Sequence, residues 1–493
     1  MATEMDKMGG DSGYERLGTR RLKLIDVIAQ SVGLIGPVFS AAFLIPLIAG
    51  FGFSGNGAGI ATPFAVIVAS IGVLALGWIV AQYAKRVHAA GSLYDYVTMG
   101  LGSRAGGWGG WVYYGGTLLL SSAIAVLIGW FLRDNVLPAF EIDGLLPTWA
   151  WSLIYVALVF VILAAGVQIS TRVQLTLALV SMVVVLIFFI DVIIHAPENS
   201  AKAFNPAEAP DYLGILFGVL YGVLIFVGFE TAANLAEEAE NPKRAIPRAI
   251  MVSIAIVAVF YVIAAYAQVA GFGFDMATFL DPAIAAAPLF ALGSPDFYGS
   301  DLMLKVLLVV VLLDVMAVGL GAATASTRGV FALARDRKIP GALAKTTGGG
   351  NPIAGALVVA VVSAAWVVAA QVFDGVFANG ILEGAPGEFA DFTWISTMGA
   401  FLIMTVYGVM AFGAFFGLSD HPNKVALVVS CLLGIGVAAG AIFGAIYEVP
   451  EPLNTVWIWG VVWGAIGLVI ALVVKGREPA RRALADLSTG EEG

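Results

Sequence analysis

The chain has 493 residues, of which 60% are hydrophobic and only 12% are charged. A water-soluble fold of this size needs more polar surface than that, so the composition predicts a membrane protein with many spans. The single cysteine, Cys431, excludes an internal disulfide, and the three histidines are scattered along the chain. We therefore expect neither a metal centre nor any other cofactor.

Stretches free of Asp, Glu, Lys and Arg predict about twelve membrane helices, because a bilayer span takes roughly 17–25 residues. These stretches are 27–85 (two spans), 105–132, 144–171, 173–190, 212–229, 249–274, 306–327 (interrupted by Asp314), 346–373, 392–419, 425–447 and 452–474. The residues up to Lys23 are polar and lack the pattern of a signal peptide, so the first helix is expected to be retained.

The predicted organisation is an N-terminal tail (1–24), a transmembrane domain (25–475) and a C-terminal tail (476–493). If the spans alternate from a cytoplasmic N-terminus, only three of the 25 Lys and Arg lie outside, namely Arg133, Lys202 and Lys305. Basic residues concentrate in cytoplasmic loops, so this asymmetry predicts an integral protein of the cytoplasmic membrane with both termini inside. The basic residues are explained by topology, and no nucleic-acid partner is expected.

The stretch from 211 to 248 is the most informative part of the chain. An apolar run is interrupted near its end by Phe226, Val227, Gly228 and Phe229, and Glu230 follows immediately. Glycine weakens a helix, and a carboxylate inside a membrane costs about 2.5–3.5 kcal/mol even on lenient scales. This pattern predicts that the sixth span unwinds to form half of a substrate site.

The first span contains a matching interruption, formed by Gly33, Leu34, Ile35, Gly36 and Pro37. Two interrupted helices five spans apart predict inverted repeats of five helices, at about 25–195 and 211–419, with two extra helices at about 424–475. Unwound backbone is tolerated at membrane depth where it lines a cavity, and its free N–H and C=O groups can bind the charges of an amino acid. The alternative interpretation is that these residues only kink two packed helices.

Several motifs resemble those of amino acid permeases in the amino acid, polyamine and organocation (APC) superfamily. The sixth-span motif from Phe226 to Arg248, including Glu237 and Glu238, is similar to the sixth-helix signature of that family. Residues 334–340 resemble the end of its eighth helix, and residues 90–94 the loop before its third. The resemblance implies an all-α, leucine-transporter-like fold of ten core helices plus two.

The resemblance also implies roles for individual residues. The two breaks are expected to flank the substrate, through Gly33, Ile35, Gly36, Pro37, Phe226, Val227, Gly228 and Phe229. Phe226 and Phe229 are candidates for an aromatic lid, or they only pack against neighbours. Glu230 matches an acid implicated in gating or proton coupling, and Tyr94 a tyrosine near the inner gate. Pro37 departs from the pattern, because many relatives carry Gly-Ser-Gly there.

The coupling ion is left open by the sequence. Some proton-coupled relatives have a lysine in the fifth helix, but Ser181 lies near that position here and no lysine occurs between 173 and 194. Sodium is an alternative, bound by carbonyls of the first helix and by hydroxyls of Thr324, Ser326 and Thr327. Those hydroxyls also have a simpler interpretation, in which they bond back to their own helix.

Asp314 lies about nine residues beyond Lys305, or roughly 13 Å along a helix, and is therefore placed well inside the membrane. It is expected to accept a proton, to meet a cationic substrate, or to bond to a neighbouring helix. The charged segment 237–248 is expected either to be solvated or to pair with Lys85, Arg86 or Arg335 when an inner gate closes. Arg172, Arg328 and Arg335 are expected at the inner gate or at the lipid surface.

The leading hypothesis is a secondary active transporter that moves an amino acid or related amine by alternating access, coupled to protons or working as an exchanger. Rivals are a sodium-coupled amino acid symporter, a carrier of polyamines or other organic cations, and a non-transporting membrane sensor. No nucleophile lies beside a base, so enzymatic activity is not expected. The sequence gives no indication of the oligomeric state or of the role of the outer loop 374–391.

Overall fold

The computed structural model describes residues 17, 22–51, 57–142, 145–285, 287–348, 350–372, 387–447, 449 and 451–474. Within these ranges the chain is helical and contains no β-strand, and a single bridge pairs Leu22 with Ala239. The C-terminal tail and most of the N-terminal tail lie outside the described residues.

Twelve of the described helices are long and apolar enough to cross a membrane, which confirms the predicted number. Their bounds are α1 Leu24–Phe43, α2 Gly59–Ala84, α3 Ser103–Ala139, α4 Thr148–Ala165, α5 Val167–His195, α6 Tyr212–Leu235, α7 Pro242–Gly271, α8 Asp301–Arg335, α9 Ile353–Val372, α10 Gly387–Gly417, α11 Lys424–Gly444 and α12 Leu453–Val473. A shorter helix, Leu93–Leu101, joins α2 to α3 and is called the connecting helix below.

The junction between α4 and α5 lies at Gly166, whereas the charge-free stretches predicted it at Arg172. Gly166 has a φ of 116°, which a glycine adopts without steric cost. Arg172 lies inside α5, and the buried hydroxyl of Thr171 beside it donates to the carbonyl of Val167 one turn earlier. A charged residue is therefore a weaker marker of a helix end than a glycine.

Two further boundaries differ from the prediction. The connecting helix begins directly after residues 90–92, where a loop was expected through Tyr94. Helix α10 begins at Gly387 rather than at Phe392, so Asp391 lies within it and is 1% exposed. The remainder of the predicted outer loop, including Glu383, lies outside the described residues.

The two interrupted helices lie at the centre of the bundle. Helix α1 packs against α5, α7, α8 and the second half of α6. Helix α3 packs against α8 and α10 and completes the surrounding wall. A short broken helix cannot satisfy its own backbone groups in lipid, so this central position is where an interruption costs least.

Candidate substrate site

The first interruption is a single residue, Gly36, which separates helix Leu24–Ile35 from helix Pro37–Phe43. Gly36 has a φ of 60°, in the left-handed region, and a side chain there would overlap Val318 of α8. Proline at the start of the second segment has no N–H to leave unpaired, so it suits this position. The sequence therefore dictates both the place and the sharpness of this break.

The second interruption follows Leu224, where the α-helical part of α6 ends. The chain turns through Gly228, with a φ of 111°, and continues as a 3-10 helix over Phe229–Leu235. A Cβ on Gly228 would lie 2.7 Å from Cγ of Leu34. The two interruptions therefore pack directly against each other, as the inverted-repeat hypothesis requires.

Hydrogen bonds also join the two interrupted helices. The hydroxyl of Ser31 donates to the carbonyl of Phe229 at 2.7 Å and accepts from the N–H of Ala232 at 3.1 Å. The hydroxyl of Thr231 lies 3.4 Å from the carbonyl of Gln30 in α1 and 2.7 Å from the carbonyl of Gly228 in its own helix. These contacts satisfy part of the backbone that the breaks release, because buried polar groups without partners are costly.

Asp314 supplies the partner for the start of the second segment of α1. One carboxylate oxygen, Oδ2, accepts from the N–H of Val38 at 2.9 Å and from the N–H of Phe39 at 2.8 Å. The side chain is fully buried, and Oδ1 has no hydrogen-bond partner among the described residues. We expected bare N–H groups here, available to a substrate carboxylate; the structure corrects this, because Asp314 already binds them.

Glu230 is held by two tyrosines, one from each of two neighbouring helices. The hydroxyl of Tyr113 in α3 donates to Oε1 at 2.7 Å, and the hydroxyl of Tyr407 in α10 donates to Oε2. The glutamate is fully buried. Its carboxylate therefore links α6 to α3 and α10. Glu230 was predicted from the sequence as a site residue, but Tyr113 and Tyr407 were not.

A cavity of about 190 Å³ extends from the interruptions toward the end of the bundle away from the N-terminus. Its wall comes from α1 and the segment after it, from α3, α6, α8, α10 and α11, and from the start of α12; it includes Ile35 and Val227 from the predicted set. Phe226 and Phe229 do not line it. Phe226 packs on Tyr261, with ring centroids 5.1 Å apart, and Phe229 packs on Tyr407 at 5.3 Å.

The aromatic residues of the cavity wall are different ones from those predicted. Phe39 meets Phe392 edge to face, with ring centroids 5.9 Å apart, and Phe43 meets Phe389 at 6.3 Å. Phe39 and Phe43 lie one and two turns beyond the break in α1. This helical spacing could have identified Phe39 and Phe43 as residues on one face of α1. Their partners in α10, Phe392 and Phe389, could not be identified without knowing how the helices pack.

The hydroxyls proposed for a sodium site face different neighbours. Thr324 lies 2.8 Å from the hydroxyl of Ser170 in α5, whereas Ser326 donates to Thr117 of α3 at 2.9 Å. Thr327 is buried, and its hydroxyl has no partner in the described part of the chain. Ser181 donates to the carbonyl of Val310 at 2.7 Å. Gly33 packs on the side chain of Gln174.

The end of the bundle nearer the N-terminus, called the closed end below, is sealed by buried ion pairs. Arg328 Nε donates to Glu238 at 2.8 Å, and Arg335 Nη1 donates to Glu237 at 2.9 Å. The side chains of the first pair are each 3% exposed. Arg335 was one of the expected partners of the charged segment 237–248, and it pairs with Glu237. Arg328 was expected at the inner gate or at the lipid surface, and it lies at the closed end.

The other two suggested partners of this charged segment are wrong. Lys85 donates to Gln82, and Arg86 pairs with the exposed Asp420. Tyr94 lies at the closed end, where its hydroxyl donates to Asp336 at 2.7 Å. Strand-like hydrogen bonds between Leu22 and the segment after α6 add a further seal.

Asp95, on the connecting helix, adds a buried carboxyl to this end. It is 8% exposed, and its Oδ2 has no hydrogen-bond partner among the described residues. Burial, and then the charge of Asp336, raise the pKa of Asp95 to about 8, although Arg335 opposes the shift. Burial also raises the pKa of Asp336. These two carboxyls therefore favour the binding of a proton at the closed end.

The fold and the site together define a helical membrane protein of the leucine-transporter-like class. Solved structures agree: crystal structures of two mutants of the Eremococcus coleocola manganese transporter superpose with a TM-score of 0.59 at 13% identity. Each alignment covers 92% of this chain and 97% of the other. At this identity the likeness establishes the fold alone.

The chain belongs to the amino acid permease family, whose model matches residues 31–412. It is 24% identical over 303 residues to the methylthioribose transporter of Bacillus subtilis, covering 59% of this chain and 63% of that one. It is 26% identical over 295 residues to the lysine-specific permease LysP of Lactococcus lactis, covering 55% of each. These two matches span less than two thirds of either relative.

A longer match is to the branched-chain amino acid permease BcaP of Bacillus subtilis. It is 24% identical over 375 residues and covers 69% of this chain and 72% of that one. The three relatives have different substrates by name, so the family does not by itself select one for this chain.

Proposed function

We propose that this protein is a secondary active transporter that moves an amino acid or related amine across the cytoplasmic membrane by alternating access. The observation that carries the proposal is the cavity between two interrupted helices, closed at one end by buried ion pairs. A site in this position with one closed end matches one of the two states that a carrier needs. The family membership supports the same proposal.

The closed end is proposed to face the cytoplasm. It contains the segment before α1 and the basic residues of the loops after α2, α6 and α8. This orientation follows from the distribution of Lys and Arg in the sequence, which favours the cytoplasmic side for those loops. The cavity then opens toward the outside in the state described by the structure.

Transport is proposed to proceed by rocking of α1, α2, α6 and α7 against the remaining helices. The pairs Arg328 with Glu238 and Arg335 with Glu237 connect α8 to the segment after α6, so they must separate when the closed end opens. Water entering that end can solvate the separated charges, which limits the cost of breaking them. Two states a few kcal/mol apart are enough for a substrate to shift the population.

A proton is the proposed coupling ion, or else the protein exchanges one substrate for another. Two buried carboxyls lie beside the breaks, Glu230 and Asp314, and both change surroundings if α1 and α6 move. A sodium site finds less support, since Thr324 and Ser326 face α5 and α3 rather than each other.

The test is counterflow in liposomes containing the purified protein and loaded with an unlabelled amino acid. A labelled amino acid supplied outside should accumulate transiently, without any imposed ion gradient. Gly228→Leu, which fills the contact between the breaks, should abolish the accumulation while the protein remains folded in detergent. If no amino acid or amine exchanges through the native protein, the proposed function is wrong.

A further inference from the structure

On the basis of this proposed function, we infer that the site takes a substrate with no net charge and an apolar side chain, and that it rejects lysine-like and polyamine-like cations. The inference rests on the chemistry of the cavity wall and on the partners of the nearby carboxylates. It discriminates among the relatives, whose names range from a lysine-specific to a branched-chain permease.

The wall of the cavity contains no Asp, Glu, Lys, Arg or His among the described residues. It consists mainly of aliphatic and aromatic side chains, and its polar groups are hydroxyls, including those of Ser40, Thr393, Ser396 and Thr397. A cation moved from water into such a cavity loses its hydration and gains no opposite charge. Every amino acid brings an α-ammonium and an α-carboxylate, whose binding is left to the hydroxyls of the wall and to the unwound backbone of α6. A charged side chain adds a further charge for which the described wall residues offer no partner, so the wall favours an amino acid with an apolar side chain.

The two buried acids near the breaks do not compensate for a cationic substrate. Asp314 directs Oδ2 to the N–H groups of Val38 and Phe39 and does not line the cavity. Both oxygens of Glu230 accept from tyrosine hydroxyls, and this residue also lies outside the cavity wall. Oδ1 of Asp314 has no partner among the described residues, but this carboxylate and that of Glu230 both lie outside the wall that the substrate would contact.

A substrate with an anionic side chain is also disfavoured, because in the described part of the chain no free cation or unpaired N–H group is available for its carboxylate at the first break. The N–H groups at the start of the second segment of α1 are bound by Asp314, so they are not free for an additional carboxylate. The buried cations Arg328 and Arg335 are paired with Glu238 and Glu237 at the closed end. The wall thus selects against both signs of net charge.

The shape of the wall points to an apolar side chain of aliphatic or aromatic kind. Phe39, Phe43, Phe389 and Phe392 line one continuous part of it and meet one another at ring distances of 5.6–6.3 Å. Aromatic rings and apolar side chains associate favourably when water is displaced from both.

The first experiment is a competition panel in the liposome counterflow assay, with labelled leucine as the probe. Unlabelled leucine, methionine and phenylalanine should inhibit at concentrations at least about tenfold lower than lysine, putrescine or glutamate. Inhibition by lysine or putrescine at the same concentration as leucine would overturn the inference. If a labelled cation exchanges and leucine does not, transport stands and the inference about substrate class fails alone.

A variant tests whether the site rejects lysine because its wall lacks a negative charge. Thr397→Asp places a carboxylate on the cavity wall, and Thr397→Asn is a control of the same size without charge. The aspartate variant should gain inhibition by lysine of about tenfold relative to the asparagine variant. Equal inhibition by lysine in both variants would contradict the proposed basis of the selectivity.

A second variant tests the role of the rings. Phe392→Ala enlarges the cavity, whereas Phe412→Ala removes a ring from the same helix at a position that is 50% exposed and outside the cavity wall. Phe392→Ala should weaken competition by leucine by about tenfold, and Phe412→Ala should leave it unchanged. Unchanged competition in Phe392→Ala would exclude this ring from substrate recognition.

Discussion

The two ends of the bundle are built from different interactions. The closed end is held by buried ion pairs and by a tyrosine-to-carboxylate hydrogen bond, whereas the other end is lined by phenylalanine rings around a cavity. Ion pairs have exact partners and geometry, but they separate readily once water reaches them. Ring packing has no fixed partner and adapts to whatever fills the cavity.

This difference assigns a separate task to each end. Under the proposed function, the closed end is a switch, because removing one partner of an ion pair leaves a buried charge without compensation. The cavity end is the proposed selective surface, because the free energy of binding there depends on the substrate that it encloses. The interruptions of α1 and α6 lie between the two and connect them, so changes at one end are expected to affect the other.

The largest effect is expected from Arg328→Ala at the closed end. This change leaves Glu238 buried without its cation, and breaking a buried pair costs about 3–5 kcal/mol. The closed end should open, so that a cysteine introduced nearby in a Cys431→Ser background becomes reactive toward a soluble thiol reagent. Arg86→Ala is the matched control. Its partner Asp420 is 75% exposed, and such pairs contribute about 0–1 kcal/mol. Equal reactivity in both variants would contradict the switch.

The next effect is expected from Asp314→Ala, which leaves two buried N–H groups of α1 unpaired. Each unpaired group costs about 1–3 kcal/mol, so thermal unfolding in detergent should move to lower temperature. Asp314→Asn keeps an acceptor oxygen and should lose less. A smaller loss for alanine than for asparagine would show that this contact does not support the break.

Gly228→Ala should destabilise the contact between the two interruptions by about 1–3 kcal/mol, since its Cβ would lie 2.7 Å from Cγ of Leu34. Gly102→Ala is the control that distinguishes the effect of the steric contact from the effect of backbone strain. Gly102 also has a positive φ, of 91°, but an added Cβ would meet no atom within 4 Å. Counterflow should fall much further in Gly228→Ala than in Gly102→Ala, and equal losses would assign the effect to strain alone.

The closed end should also respond to pH. Because the pKa of Asp95 is raised to about 8 in the closed state, closure takes up a proton that the hydrated open state releases. The closed state is therefore favoured at low pH and weakens as pH rises toward 8, by about tenfold in population per pH unit. Other charged groups facing Asp95 are Asp336, Arg335 and Glu237. Thiol reactivity at the closed end should increase with pH, and Asp95→Asn should remove most of this dependence.

Glu230→Gln is expected to have the smallest effect on stability, about 1 kcal/mol, because the amide keeps one acceptor for Tyr113 or Tyr407. If Glu230 takes part in coupling, the pH profile of counterflow should change even though unfolding barely does. An unchanged pH profile would exclude Glu230 from coupling.

The sequence predicted the fold well because its signals are local. Charge-free stretches mark the spans, and Gly36 and Gly228 mark the interruptions through a conformation that other residues avoid. The errors arose where a local signal competed with a tertiary contact. Arg172 was taken as a helix end although α5 passes through it, and Phe226 was placed at a cavity although it packs on Tyr261.

The site was predictable only in part for the same reason. The positions of the breaks could be read from glycine and proline, but the partners of Asp314 and Glu230 lie 276 and 117 to 177 positions away in the chain. Such long-range partners depend on helix packing, which one sequence does not specify. The expectation of free N–H groups at the first break failed because Asp314 supplies the missing acceptor.

The two ends of the bundle are proposed to open alternately around the interrupted helices. Spin labels at Arg104 and Lys243 report on the closed end, and labels at Tyr212 and Leu302 report on the opposite end; all four positions are exposed. Distances measured by pulsed electron resonance with and without leucine should show the first pair lengthening in the population in which the second pair shortens. If both pairs keep a single distance under all conditions in which the protein exchanges leucine, the two ends do not alternate and the account is wrong.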